Sequence, residues 1–138
     1  MVRVVRPGGT IAAYAWDILG GGFPLEPIRI EMRAIGLTPL DPPSTDASRI
    51  ESMRKLWNAA ALAAVETREI AVQRTFADFE DFWVTSLMGS SIGSMVAAMA
   101  PKDVEQLKMG VRARMPGDCE GHITCGARAN AVKGRLPR

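Results

Sequence analysis

Val2-Arg3-Val4-Val5-Arg6-Pro7-Gly8-Gly9-Thr10-Ile11-Ala12-Ala13-Tyr14-Ala15-Trp16-Asp17 is the stretch whose reading decides the fold. Pro7 locks its own φ and disfavours helix at Arg6, so a helix carrying Val2 to Arg6 must stop there. Gly8 and Gly9 can take the backbone angles that reverse a chain. Thr10 to Trp16 then forms an apolar run with Ile, Tyr and Trp, long enough for one buried strand. Asp17 ends it, and Gly20-Gly21-Gly22 follows as a loop. Helix end, tight turn, buried strand and loop make the second half of an α/β unit, whose first half is not in this chain.

The bulk numbers fit that reading. At 138 residues, 47% hydrophobic and 23% charged, the chain is expected to form one soluble globular domain over residues 1–138. Its 17 basic and 15 acidic residues are spread throughout, and a net charge of +2 makes no case for nucleic acid. No apolar run approaches the ~20 residues that span a bilayer, and Pro7-Gly8-Gly9 interrupts any secretory pattern, so no membrane partner is expected. Cys119 and Cys125 are not a disulfide framework, and with one histidine a Cys/His zinc site would lack a fourth ligand. Reduced thiols, no metal and a cytoplasmic location are the expectation.

Further along, Leu25, Ile28, Met32 and Ile35 recur at helical spacing, with Pro24 or Pro27 at the start and Gly36 at the end. Thr38 to Asp46 reads as a surface loop. Ser48-Arg49-Ile50-Glu51 fits a capping box, followed by a helix with Ile50, Met53, Leu56, Trp57 and Ala60 on its core face. Ala59 to Ala64 is expected to continue that helix, since no glycine stops it. Val65 to Arg74 alternates as a half-exposed strand does. Thr75 is the expected cap of the next helix, which carries Phe76, Phe79, Phe82, Trp83 and Leu87. A short Met-rich helix (Ile92, Met95, Val96, Met99) and a last helix opened by Pro101 (Val104, Leu107, Val111, Met115) follow. Ile123, Cys125, Ala127, Ala129 and Ala131 alternate as the inner face of a final strand. The basic tail, Lys133 to Arg138, reads as solvated.

Arg3-Val4-Val5-Arg6-Pro7-Gly8-Gly9, followed by a hydrophobic strand, resembles the Pro-Gly-Gly turn segment of class I S-adenosylmethionine-dependent methyltransferases. Met53-Arg54-Lys55-Leu56-Trp57, Val65-Glu66-Thr67-Arg68-Glu69-Ile70 and Thr75 to Trp83 are similar to later segments of the same family, in the same order. The resemblance covers nearly the whole chain and maps onto the C-terminal half of the family's domain. It implies an α/β fold, a partial doubly wound (Rossmann-like methyltransferase) sheet of about three strands with helices. That sheet would lack the N-terminal cofactor-binding half. It also implies that the last strand runs antiparallel between the other two, and that the first strand keeps one open edge. The family usually has Gly-Leu at the junction where this chain has Ala59 to Ala64.

By resemblance alone, the reaction is methyl transfer from S-adenosylmethionine to a small molecule. The cofactor pocket of such a fold needs a glycine-rich turn after the first strand and an acidic residue after the second. Neither is present, so no cofactor-binding residue is assigned and the chain alone is expected to be incomplete or inactive. Ligands lie beyond the carboxyl ends of parallel strands. Tyr14, Trp16, Phe79, Phe82 and Trp83 are therefore the expected substrate-binding residues, with Asp17 the candidate base. The alternative assignment makes the aromatics core and Asp17 a turn residue. His122 is expected to be structural or solvated. A rival reading from another class is a non-catalytic dimerisation module, closing its open edge with a second copy. A complementing N-terminal half is the other expected partner.

Overall fold

The computed structural model describes residues 2–138. In chain order its elements are β1 (Thr10–Trp16), α1 (Glu26–Ala34), α2 (Ile50–Ala59), β2 (Ala63–Phe76), α3 (Phe79–Leu87), α4 (Ser91–Ala97), α5 (Pro101–Arg114) and β3 (Ile123–Arg135). Short 3-10 turns occupy Val2–Val4 and Thr45–Ser48. This is an α/β chain with the expected order of strands and helices. Its one sheet has the strand order β1-β3-β2. β1 and β3 are antiparallel, in register from Thr10 opposite Arg135 to Trp16 opposite Ala129. Glu66 pairs with Lys133, and Thr75 with Thr124, so β2 is antiparallel to β3 as well. The last strand thus lies between the other two, as the resemblance implied.

Two compact units share these elements. The first holds the described residues up to Phe23, with Pro42–Val72 and Ala127–Arg138; the second holds Pro24–Asp41 and Gln73–Gly126.

In the first unit, Gly9 N–H donates to Arg6 O (2.9 Å) across Pro7 and Gly8, and Gly8 has φ +76°. Proline at the second position and positive φ at the third make a type II turn. Gly8 N–H donates to Leu136 O and Leu136 N–H to Gly9 O, both 2.9 Å, so two residues face one and a bulge ties the turn to the end of β3. Ile11, Asn130, Val132 and Gly134 are buried on one sheet face. Asn130 Nδ2 donates to Ser48 O (2.9 Å) and Trp57 Nε1 to Ile11 O (3.4 Å). A Cβ on Gly134 would lie 2.9 Å from Trp57 Cδ1, which is why β3 has no side chain there.

The second unit is built on apolar helix stripes. Ile28, Met32, Phe82, Ile92, Leu107 and Val111 are its most deeply buried side chains. α1 ends as its spacing predicts: Gly36 (φ +83°) follows the cap, and Leu37 N–H reaches back to Met32 O at 2.9 Å. A buried arginine sits among these apolar groups. Arg29, 2% exposed, pairs with Glu26 (3.3 Å) and with Asp41, and donates to Leu40 O (3.3 Å). The tripod anchors the proline-rich loop to α1.

Four local expectations are corrected. Ser48 does not cap α2: its Oγ donates to Thr45 O within the 3-10 turn, and Arg49 takes the cap position without a side-chain bond. α2 does not run on through the alanines. It stops at Ala59, with Ala61 at φ +56°, Ala61 N–H on Asn58 O (2.9 Å) and Leu62 N–H on Trp57 O (3.2 Å). That is a Schellman ending with alanine where glycine is usual. Leu56, expected on the core face of α2, is exposed. Thr75 and Phe76 belong to β2, and Asp78 caps α3 by accepting from Asp81 N–H (2.8 Å). Finally, the odd-numbered inner face of β3 holds at Ile123 and Ala129, but beyond them Asn130, Val132 and Gly134 are buried instead.

Left-handed backbone costs an L-residue about 1–2 kcal/mol relative to glycine. Ala61→Gly is expected to raise the unfolding free energy by about 1 kcal/mol, part of the relief being offset by the greater freedom of glycine in the unfolded chain. Urea denaturation of the two proteins measures it.

Candidate functional site at the carboxyl end of β1

β1 delivers Trp16 and Asp17 to its carboxyl end, and β3 brings Arg128 beside them. Asp17 N–H donates to Arg128 O at 2.9 Å, one more rung of the ladder. The Arg128 guanidinium then folds onto the Asp17 carboxylate, with Nη2 2.6 Å and Nε 3.2 Å from Oδ2. Asp17 Oδ1 accepts from Gly20 N–H (3.1 Å), and Arg128 Nη2 also donates to Gly20 O (2.9 Å). The Asp17 hydrogen bond, and after it the attraction of its charge, raises the Arg128 pKa above its ordinary value. Asp17 is 8% exposed and both its oxygens are engaged. A carboxylate so held is suited to fixing the loop that follows the strand.

The glycines follow from the same geometry. A Cβ on Gly20 would overlap the Asp17 carboxylate, and one on Gly22 would lie 2.6 Å from Arg128 O. Gly22 N–H donates to Asp17 O (2.7 Å), and Arg128 N–H to Gly22 O (2.9 Å). The space that the missing side chains leave is filled by this chain's own carboxylate and backbone. The loop therefore does not fit S-adenosylmethionine, which needs glycines to leave backbone open to it.

Tyr14 and Trp16 lie on the other sheet face from Ile11. Tyr14 is 77% exposed and Trp16 36%, so the expected buried strand is an outer strand with Ile11 its one buried residue. Tyr14 borders a trough of about 430 Å³ on that face, with Ala12, Glu66, Arg68, Ile70 and Lys133. Glu66 and Lys133 among these form an ion pair (3.0 Å) from β2 to β3.

The other expected site aromatics are in the second unit. Phe79 stacks on Trp83 at 6.2 Å between ring centroids, and Phe82 meets Phe76 edge-on at 5.3 Å. All four are buried. Phe79 also borders a depression of about 490 Å³ lined by Asp78, Glu80, Arg112, Met115 and Ile123. There the Arg112 guanidinium lies 4.6 Å over the Phe79 ring while Nη2 bonds Glu80 at 2.6 Å. His122 closes a tight loop: its N–H donates to Asp118 Oδ1 at 2.9 Å, which holds the Asp118 carboxyl below its ordinary value. Among the described residues, no group of three or more His, Cys, Asp or Glu could hold a metal ion. No described helix is long and apolar enough to cross a membrane.

Sequence reasoning missed Arg128 and Arg29. Each is defined by a partner distant in sequence, and nothing in the local pattern marks it.

No family model matches the chain, and no curated protein matches it. Among solved structures it is similar to a proposed methyltransferase (BH2331) from Bacillus halodurans C-125. The identity is 12% and the TM-score 0.39, over 99% of this chain and 55% of that one. The chain therefore spans about half the length of that protein, and a likeness at this score assigns neither an activity nor equivalent residues.

Two predictions follow from contacts within single units. Gly22→Ala drives a Cβ into the Arg128 carbonyl, and overpacking of this kind costs about 1–3 kcal/mol; calorimetric unfolding should show the loss. Cys125 is half-buried with its Sγ on Pro24 O (3.3 Å), and burial raises its thiol pKa, whereas Cys119 is exposed. Alkylation followed by mass spectrometry should label Cys119 first. Because the folded pKa is raised, the Cys125 contribution to stability is whole below the ordinary thiol range and is lost as the pH rises through the folded value.

Proposed function

We propose that this chain is the substrate-side half of a class I S-adenosylmethionine-dependent methyltransferase, acting on a small molecule. The single observation that carries the reading is the sheet order β1-β3-β2, with β3 antiparallel between its neighbours and β1 entered through the Arg6-Pro7-Gly8-Gly9 turn. That is the arrangement implied by the resemblance of the opening segment, and it supports the family's partial doubly wound sheet over residues 1–138. Fold and motif support the family, while a fold hosts many chemistries.

Within this reading the cofactor belongs to a part outside these 138 residues, because the glycine loop is filled by Asp17 and Arg128. This chain's own share is to present the methyl acceptor. Tyr14 and Trp16 offer exposed rings, and the Asp17–Arg128 pair fixes the loop beside them. Phe79, Phe82 and Trp83 are packed in the core of the second unit, so the acceptor falls to the exposed rings of the first. Methyl transfer asks chiefly for alignment of the acceptor, so such rings are a sufficient contribution.

Calorimetric titration with S-adenosylhomocysteine tests it. The expected result is no saturable binding by the chain alone, and binding once it is joined to an N-terminal half that carries the glycine-rich turn. Failure of the joined, folded protein to bind would overturn the reading; micromolar binding by the chain alone would overturn the assignment of the cofactor to the other half.

A further inference from the structure

The two outer strands of the sheet differ in how they meet solvent. β2 carries Glu66, Arg68, Glu69 and Arg74, and charges on an edge discourage another strand from pairing there. β1, Thr-Ile-Ala-Ala-Tyr-Ala-Trp, has no charge, no proline and no interior bulge. It carries none of the charges, prolines or bulges that protect an edge.

The hydrogen bonds fix which of its backbone groups face outward. Gly9 O and Asp17 N–H both bond to β3 partners, and in an antiparallel pair the bonded residues alternate. Ile11, Ala13 and Ala15 therefore bond inward to β3, and Thr10, Ala12, Tyr14 and Trp16 direct theirs to the open edge, where the Trp16 carbonyl already accepts from Ile18 N–H at 2.9 Å. On the even-numbered face these residues run small, small, large, large: Thr10 and Ala12, then Tyr14 and Trp16.

From this we infer that the open edge of β1 is taken by β1 of a second copy of this chain, antiparallel, about a two-fold axis at Ala13. That register sets Ala12 opposite Tyr14 of the other copy and Thr10 opposite its Trp16, so each large ring meets a small residue. Ile11 meets Ala15 on the other face. Ala12 and Tyr14 of one copy exchange bonds with Tyr14 and Ala12 of the other, and Trp16 N–H meets Thr10 O, the Trp16 carbonyl being held by Ile18. The match is self-complementary, as an isologous interface requires, and this favours a second copy over an unrelated strand. The inference stands on the edge itself and not on methyl transfer, and it concerns the 138-residue chain alone, since a joined N-terminal half would take the same edge.

Sedimentation equilibrium of the full chain should give a mass about twice that of one chain, the expectation for a two-fold dimer. Ala12→Lys places a charge on the shared edge and is expected to yield a folded monomer, judged by circular dichroism. Ala12→Lys/Tyr14→Glu sets the introduced ammonium of one copy against the introduced carboxylate of the other and should restore the dimer. A monomeric parent chain, or a dimer indifferent to Ala12→Lys, would overturn the proposal. A double variant that remains monomeric would overturn the register. Amide exchange in the unaltered chain is independent of how the variants fold. Ala12, Tyr14 and Trp16 should be protected only at concentrations where the dimer forms, and their protection in a monomer would place a different segment on the edge.

Discussion

The antiparallel ladder between β1 and β3 is the interaction on which the rest of the structure depends. It joins the opening of the chain to its close and sets β3 at the centre of the sheet. Its far rung, Asp17 N–H on Arg128 O, brings the Arg128 guanidinium within reach of the Asp17 carboxylate. At its near end the bulge of Gly8 and Gly9 on Leu136 anchors the proline turn. The same parity decides which side chains are covered and which backbone groups are left outward. The loop geometry, the burial of Ile11 and the exposure of Tyr14 are consequences of one register.

Much of this was legible because it is local. Pro7 and Gly8 announce a turn by their own backbone limits, and Thr10 to Trp16 announces a strand by its run of apolar residues. The stripes of α1, α4 and α5 fall where their spacing predicts, with Ile28, Met32, Ile92, Val96, Leu107 and Val111 buried. The misreadings occur where a long-range contact outweighs a local preference. Ala61 takes a left-handed backbone that alanine disfavours, since Trp57 and Leu62 pack against Gly134 of a distant strand. Phe76 looks helical in sequence, yet it closes β2 and meets Phe82 edge-on. Ser48 has the chemistry of a cap, and instead its carbonyl receives Asn130.

The candidate site was legible only in its residue types. Asp17 after an apolar strand is conspicuous, but its partner lies on the last strand and nothing near Arg128 in sequence distinguishes it from the other arginines. Glycines followed by a helix invite a ligand-binding interpretation. Here they let the backbone close around an internal ion pair, so the same composition serves the protein's own packing. Arg29 makes the parallel case in the second unit, where a charged side chain is buried because Glu26, Asp41 and a backbone carbonyl meet it there.

The middle position of β3 also bears on how the sheet comes into being. A ribosome releases β1 and β2 well before the strand that pairs with both of them, so during synthesis neither outer strand has its native neighbour. Closing so long a loop is entropically slow, and contacts between remote segments lower folding rates. The helical stripes of the second unit can collapse early, while the apolar β1 stays unpaired until the last strand emerges. For that interval each outer strand offers chaperones both of its edges rather than one, and the order of synthesis bears on how long it needs them.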